Sequence, residues 1–374
     1  MNEKQKENKS RLGDWPKDAC EVLDLCPVCS SRVRAILHDD LEDYAFQCAP
    51  GKWVMYQCGS CGVAYLNPRP NQETISLAYK QYYTHQKTES NNSRMHNLKL
   101  AMINGYRNMR FGVNFCPSSK LGVLYYLFPS RKKNIDSEGR GLEKMHDDKA
   151  PKVLDVGCGN GIFLILVKMM GWQAFGVEPD PLAAKTAAEL KVEILADFIN
   201  DVPDKYNEYF DVITLNQVIE HVHDPAAMIE KCHDLLVEGG RLWMATPNID
   251  SQGHQRYGKY WRGLEAPRHL IVFNWHSLNG LLKKAGFIEI RREAAHQSCK
   301  WMFKESLAQL ERNFKKASLI EKMKIIGVVY WTDFRTRINL SRREFITVNC
   351  IKRGGEVTFS PISGGRSEGI NERG

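Results

Sequence analysis

From residue 152 onward, short apolar runs alternate with longer stretches whose apolar residues recur at helical spacing. The runs at 152–157, 173–178, 192–195, 210–215 and 241–246 end in turn-forming residues and read as strands. The stretches near 160–171, 181–190, 225–236 and 275–285 read as helices. Regular strand–helix alternation predicts an α/β fold with a mostly parallel sheet. Two later runs, Ile288–Arg292 and Phe345–Ile351, are further strands, and an insertion from Lys300 to Leu340 carries Phe303, Leu307, Leu310 and Phe314 at helical spacing. The N-terminal third is patterned differently. Phe46, Trp53, Val54 and Tyr56 suggest short strands, and the part from 67 to 150 is aromatic and partly helical (Tyr79, Tyr82, Tyr83, Tyr106, Phe111, Tyr125, Tyr126, Phe128), ending in a polar linker, Asn134 to Lys149. Five segments are expected: a disordered tail (1–20), a Cys-x-x-Cys unit (21–66), a helical linker or lid (67–150), an α/β core (151–355, with the helical insertion at 300–340) and a second disordered tail (356–374).

The turn after the first core strand carries the most chemistry. Val153–Leu164 runs from strand through glycine loop to helix, and a second strand ends on Glu178. Gly157, Gly159 and Gly161 lack Cβ atoms, so the loop can take positive φ and a ligand can lie against its backbone. An acid about twenty residues beyond such a loop is placed to accept the hydroxyls of a ribose. The loop reads Asp-x-Gly-x-Gly-x-Gly, with Asp155 closing the strand. That carboxylate repels a pyrophosphate but can receive, directly or through water, the ammonium group of an amino-acid moiety. The stretch Asp155–Gly161, with Cys158 inside it, resembles motif I of the class I S-adenosylmethionine-dependent methyltransferases. The resemblance implies a Rossmann-like methyltransferase sheet with an antiparallel last strand and S-adenosylmethionine as cofactor, and makes 288–292 and 345–351 its terminal antiparallel strands. In that order of elements, Asp197 and Phe198 stand where family members hold adenine, and Asn216 and Gln217 follow the fourth strand at the carboxyl edge where ligands of open α/β sheets bind. The Gly-Gly turn and strand of Leu236–Asn248 resemble the same superfamily.

Composition adds metal and charge. The chain has 374 residues and 11 cysteines, and Cys26, Cys29, Cys58 and Cys61 form two Cys-x-x-Cys knuckles. Four thiolates at this spacing suit a tetrahedral zinc ribbon with no open position, so the zinc is expected to be structural. Cys20 and Cys48 fall outside that spacing. Without an apolar signal core and with an odd number of cysteines, the chain is expected to be cytoplasmic. No run of eighteen apolar residues exists, so no spanning membrane segment is expected. The net charge is +8, and residues 283–350 hold fifteen Lys/Arg against seven Asp/Glu. Such a surplus is either a solvated helix face or a surface for an anionic partner.

The order of these motifs is similar to that of a bacterial group of methyltransferases, in which a Cys-x-x-Cys ribbon and an Asn67-Pro-Arg-Pro70 segment precede a core containing Val218–Pro225 and Pro267–Asn274. The resemblance spans about residues 24–355, is weak from 84 to 150, and implies enzymes of surface-polysaccharide or secondary-metabolite type. Within it, Gln217, Glu220 and His221 share one face if the segment after Asn216 is helical, and His269 returns to the same edge. This pattern resembles metal-dependent O-methyltransferases of small-RNA 2′-hydroxyls and of ubiquinone biosynthesis, which implies a magnesium or manganese site; Gln217 stands where those proteins carry a carboxylate. Without metal, His269 or His221 is a candidate general base on an acceptor hydroxyl, with Glu220 beside it. The expected reaction is methyl transfer to a small-molecule or saccharide hydroxyl. The alternative is an RNA methyltransferase gripping phosphate through the ribbon and the basic region. Against it, the fourth strand is not followed by the Pro-Pro-aromatic segment of base-amine methylases, nor is there a Pro-Cys nucleophile. The insertion interleaves Lys304, Arg312, Lys315, Lys316, Lys322 and Lys324 with Trp301, Phe303, Phe314, Tyr330 and Trp331. It therefore favours an anionic acceptor, such as a nucleotide-sugar or lipid-linked saccharide.

Overall fold

The computed structural model describes residues 15, 19–79, 94–145, 150–293, 299–313, 327–329, 331–332, 335 and 339–354. Lys315, Lys316, Lys322, Lys324, Phe314, Tyr330, Tyr82 and Tyr83 lie outside the described residues, as do both tails expected from the sequence, apart from Trp15, Ala19 and Cys20.

The N-terminal strands are β1 (Cys20–Glu21), β2 (Arg34–Leu41), β3 (Trp53–Cys58), β4 (Ala64–Leu66) and β5 (Arg69–Pro70). Phe46, expected in a strand, sits in a turn instead, because the buried Asp43 carboxylate accepts the backbone N–H groups of Phe46, Cys48 and Ala49 and curls the chain around itself. The core strands are β6 (Lys152–Val156), β7 (Gln173–Val177), β8 (Glu193–Ala196), β9 (Phe210–Asn216), β10 (Leu236–Pro247), β11 (Ile271–Val272), β12 (Phe287–Glu293) and β13 (Phe345–Lys352). Seven of them form one sheet in the order β8-β7-β6-β9-β10-β13-β12. The chain leaves β6 toward β7 and β8, then returns to place β9 on the other side of β6. The carboxyl ends of β6 and β9 thus frame a topological switch point, the place where open α/β sheets leave a crevice.

This is the Rossmann-like methyltransferase fold, a mostly parallel sheet with one reversed strand. β13 runs antiparallel to both β10 and β12, so β12 shares the direction of the parallel strands. The expectation that Ile288–Arg292 is also reversed is therefore corrected: helix Trp275–Lys284 precedes β12 and makes it a crossover strand, whereas β13 follows the insertion and fills the gap between β10 and β12. β10 also starts earlier than the sequence suggests, at Leu236. Its Gly239-Gly240 pair forms a register shift against β9 rather than a separate turn.

The Cys-x-x-Cys unit is not sealed off from the core. Its sheet runs β11-β4-β3-β2, so its edge strand comes from Ile271–Val272, two hundred residues downstream. Cys26, Cys58, Cys61 and Tyr65 pack into the same apolar cluster as Leu154, Leu215, Ile219 and Phe273. The described part of the stretch read as a polar linker, up to Met145, is also built in. Asn134–Asp136 completes helix Pro129–Asp136, Ile135 and Leu142 are buried, and Arg140 turns inward at φ 46°. Helix Arg94–Phe111 packs under a 3-10 helix, Lys120–Leu127, and the bidentate Arg107–Glu138 pair and the Tyr106–Asp136 hydrogen bond tie both to this segment.

Candidate active site at the carboxyl edge of the sheet

The glycine loop sits at the end of β6, as its apolar-then-glycine spelling requires. Gly157, Gly159 and Gly161 have φ of 70°, 55° and 78°. A Cβ on Gly157 would meet Val218 Cγ2 at 2.7 Å and one on Gly161 would meet Ala187 Cβ at 3.0 Å, whereas nothing lies within 4 Å of the place a Cβ on Gly159 would take. Two glycines thus serve close packing, and the middle one leaves open space over the backbone. Cys158 is buried in the loop, with its thiol pushed up by burial. Glu178, at the end of β7, ties the loop in place: Oε2 accepts from Gly159 N–H at 2.7 Å and Oε1 from Asp180 N–H at 2.9 Å. Burial raises its pKa, partly offset by those two N–H groups and worsened by nearby Asp180 and Asp155. Asp197 and Phe198 are exposed just past β8, and Phe198 keeps 61% of its surface open. Asn216 closes β9 half-buried.

Asp155 is wholly buried, and its Oδ1 is already engaged. Thr214, its register partner on β9, donates a hydroxyl at 2.8 Å, and the Arg140 guanidinium donates as well. Arg140 also reaches Thr214 Oγ1 at 3.0 Å and stacks 3.7 Å from the centroid of Phe163. Oδ2 of Asp155 is buried with no hydrogen-bond partner. The open cradle over Gly159, the orphaned Oδ2 and the carboxylate of Glu178 together fit a ligand that has both an amino-acid end and a ribose. Arg140 escaped the sequence reading because it lies in what looked like linker. Thr214 could have been found, since pairing β6 with β9 sets it directly against Asp155.

The second group of residues lies two positions beyond Val218, the side chain that closes on Gly157. The segment after Asn216 is not an α-helix, so the expectation that Gln217 shares a face with Glu220 and His221 is corrected. Gln217 has φ 59°, its amide lies 3.4 Å from the Ala245 carbonyl, and only Ile219–His221 forms a short 3-10 turn. The turn is held from the other side: Leu270 N–H donates to the Glu220 carbonyl at 2.8 Å, and Leu66 N–H donates to the Leu270 carbonyl at 3.0 Å. The ribbon strand β4 therefore clamps the very loop that delivers His269 to His221.

Glu220, His221 and His269 converge, with one ligand-type atom from each lying within 4.8 Å of the others. The imidazoles pack edge to face at 4.7 Å between centroids. His269 Nδ1 donates to the Gly263 carbonyl at 2.8 Å, and His221 Nδ1 stands 3.1 Å from the Arg268 carbonyl and 3.0 Å from Tyr79 Oη. Carbonyl partners make Nδ1 the protonated nitrogen in each ring and leave Nε2 a lone pair. Glu220 is fully buried; its Oε2 accepts from Thr246 at 3.0 Å and its Oε1 has no partner. Burial pushes Glu220 up to about 8 and pulls His269 down to about 3, against the pull of Glu265; His221 is lowered for the same reason. A carboxyl group and two imidazoles brought this close together are groups able to exchange a proton or to hold a cation.

Behind them runs a buried charge network that the sequence did not reveal. Arg268, with no exposed side-chain surface, pairs with Asp43 of the ribbon and donates to Glu265 at 3.1 Å and to the Ala78 carbonyl at 2.8 Å. Glu265 also pairs with Arg262 and stands 3.7 Å from His269 Nε2. The Asn67-Pro-Arg-Pro70 segment joins in from the far side. Arg69 pairs with Glu21 at 2.6 Å and donates to the His223 carbonyl at 3.1 Å, and His223 Nε2 donates to the Pro70 carbonyl at 2.9 Å.

The four ribbon cysteines also meet. Their sulfurs all lie within 4.8 Å of one another, with Cys26–Cys61 at 3.8 Å and Cys29–Cys58 at 3.5 Å. A zinc tetrahedron with bonds of about 2.3 Å has edges of about 3.8 Å, so the donor set and its spacing fit zinc. The Cys61 thiol rests against Cys26 and holds the Cys26 thiol below its ordinary range, which favours the thiolate a metal needs.

Part of the chain is similar in sequence to known methyltransferases. Residues 128–290 match the family described as a methyltransferase domain. The ubiquinone biosynthesis O-methyltransferase of Shewanella halifaxensis is 25% identical over 184 residues, covering 48% of this chain and 74% of that protein. The enzyme of the same name from Actinobacillus pleuropneumoniae serotype 7 is 33% identical over 142 residues, covering 35% of this chain and 58% of that protein. Among solved structures, a methyltransferase from Archaeoglobus fulgidus is 19% identical, with a TM-score of 0.40, covering 61% of this chain and 94% of its own. Phosphoethanolamine N-methyltransferase 2 of Haemonchus contortus, solved with S-adenosyl-L-methionine, is 16% identical with a TM-score of 0.39, covering 56% of this chain and 50% of that one. The chain carries an S-adenosylmethionine-dependent methyltransferase domain.

Proposed function

We propose that this protein methylates a hydroxyl of a small molecule or saccharide, with S-adenosylmethionine as donor and the Glu220–His221–His269 cluster acting on the acceptor. The observation that carries this reading is the convergence of the Glu220 carboxyl with the His221 and His269 imidazoles two residues beyond Val218, the side chain that closes on Gly157 of the cofactor-type glycine loop. The curated relatives named above are O-methyltransferases, which agrees with a hydroxyl acceptor.

In this reading Asp155, the three glycines with Cys158, and Glu178 hold the donor, with Asp197 and Phe198 at its adenine and Asn216 and Gln217 lining the strand end. The bound donor supplies an electrophilic methyl on a sulfonium. Arg140 and Thr214 fix the rotamer of Asp155, and the Gly159 and Asp180 N–H groups fix that of Glu178. His221 or His269 would take the proton of the acceptor hydroxyl as its oxygen receives the donor's methyl and the donor becomes a neutral thioether. The Glu265 carboxylate, 3.7 Å from His269 Nε2, would offset the burial that disfavours the charged imidazole. A ring nitrogen whose partner nitrogen is locked on a backbone carbonyl is oriented for that proton. Burial excludes water from the transfer. Glu220, His221 and His269 would also hold a divalent ion, magnesium or manganese, which lowers the pKa of a bound hydroxyl. Zinc at Cys26, Cys29, Cys58 and Cys61 is structural, because four thiolates leave no open position.

The test is turnover against donor binding on candidate acceptor hydroxyls. His269→Ala and Glu220→Gln are expected to lower kcat about 100-fold or more while calorimetric donor affinity is retained. EDTA followed by Mg²⁺ or Mn²⁺ then separates base from metal ligand. Full activity of His269→Ala would remove the cluster from the mechanism.

A further inference from the structure

The 3-10 helix Lys120–Leu127 is apolar on the faces it turns outward. Such a helix has three residues per turn, so its side chains fall on three edges. One edge, Gly122 and Tyr125, is buried against helix Arg94–Phe111, with Tyr125 packed at 5.8 Å on Tyr106. The other two edges are Leu121, Leu124 and Leu127, and Val123 and Tyr126; with Phe128, which follows, all six are exposed, from 39% for Leu124 to 72% for Leu127. A soluble surface scatters such residues singly; six in eight positions, all facing outward, form a patch that calls for a partner.

The charge around the patch points to that partner's chemistry. Residues 90–135 contain eight Lys and Arg and no Asp or Glu. The nearest acids in sequence, Asp136 and Glu138, turn inward onto Tyr106, Arg110, Lys132 and Arg107. Cations stand at the rim of the apolar surface: Arg131 lies 5.6 Å from the ring of Phe128, Lys132 lies 5.7 Å from that of Tyr126, and Lys120 is exposed at the start of the helix. Leucine, an aromatic residue with a polar tip and a cationic rim are what an anionic bilayer surface takes up, acyl boundary against the apolar side chains and headgroups against the charges.

We propose that the 3-10 helix Lys120–Leu127, with Phe128, docks the protein on an anionic lipid surface, peripherally and without a spanning segment. The docking stands on its own and does not depend on the methyl-transfer reading. It bears on it through one connection, since the chain runs from the patch through helix Pro129–Asp136 straight to Arg140, the residue that holds Asp155.

The test is co-sedimentation of the full chain with vesicles of phosphatidylcholine alone and of phosphatidylcholine with phosphatidylglycerol. The expected result is binding to the anionic vesicles that weakens with salt, and a loss of about tenfold or more in Leu124→Asp/Leu127→Asp and, more mildly, in Lys120→Glu/Arg131→Glu. An unchanged melting temperature in both variants identifies the loss as a surface effect. Absence of binding to anionic vesicles at low salt overturns the proposal. So does concentration-dependent self-association abolished by the leucine variant without vesicle binding, which assigns the patch to a second copy of the chain. Vesicle binding that survives in the leucine variant overturns the apolar docking as well.

Discussion

At the scale of single residues, the loop after β6 separates roles that its spelling runs together. Gly157 and Gly159 both have positive φ, yet only Gly157 faces a stiff β-branched neighbour, Val218. Gly157→Ala is expected to destabilise the protein by about 1–3 kcal/mol, seen as a lower melting temperature without any ligand. Gly159→Ala meets open space and carries only the conformational strain, about 1 kcal/mol. Its methyl fills the cradle instead, so donor affinity measured by calorimetry should fall while the unliganded melt barely moves. Equal donor affinity in Gly159→Ala and the parent would mean that the cradle is not where the donor lies. The three glycines, Asp155 and Glu178 could be read from the sequence because a positive-φ loop needs glycine whatever surrounds it. Arg140 could not, because nothing local to it marks a surface-type residue in a polar stretch as buried against a strand end.

Among the elements, the ribbon is the one whose meaning changes most. Its cysteine spacing is local and legible, and the four sulfurs do meet. That the sheet is completed by Ile271–Val272 depends on a pairing across two hundred residues, which no spacing encodes. The consequence is functional: β4 holds Leu270, and Leu270 holds the turn of Glu220. Cys29→Ser removes a thiol that is exposed, so its loss leaves little cavity. We expect the variant to lose zinc, to melt earlier, and to lose about tenfold or more in methyl transfer with donor affinity retained, because the ribbon orients the histidine loop rather than the glycine loop. Metal analysis alongside turnover checks this. A zinc-free protein with undiminished turnover would make the ribbon an appendage. The turn after Asn216 carries the matching lesson: helical spacing suggested one face for Gln217, Glu220 and His221, but Gln217 at positive φ breaks the register before the turn begins.

For the whole molecule, the buried Arg268–Asp43 pair joins ribbon to core. Removing one partner strands the other charge, so Asp43→Ala should cost about 3–5 kcal/mol, measured by denaturant unfolding. Burial alone would raise the Asp43 carboxyl, but the Arg268 guanidinium and the N–H groups of Phe46 and Cys48 outweigh it and hold it below its ordinary value. With its folded pKa depressed, its contribution is complete above the unfolded value of about 4 and is lost as pH falls through the lower folded value. The stability gap between the parent and Asp43→Asn should therefore narrow below about pH 4, and a gap constant down to pH 2 would remove Asp43 from the acid response. The sequence by itself determined the alternating core, the glycine loop with its distant acid, and the paired cysteine knuckles, since each follows from periodicity or from a backbone and ligand chemistry confined to a few neighbouring residues. Only the tertiary structure decided that β12 runs with the parallel strands, that Arg140 and Thr214 hold Asp155, and that the ribbon clamps His269 onto His221. Those outcomes rest on which distant segments share a sheet edge or a buried charge, and that is settled by packing the whole chain at once.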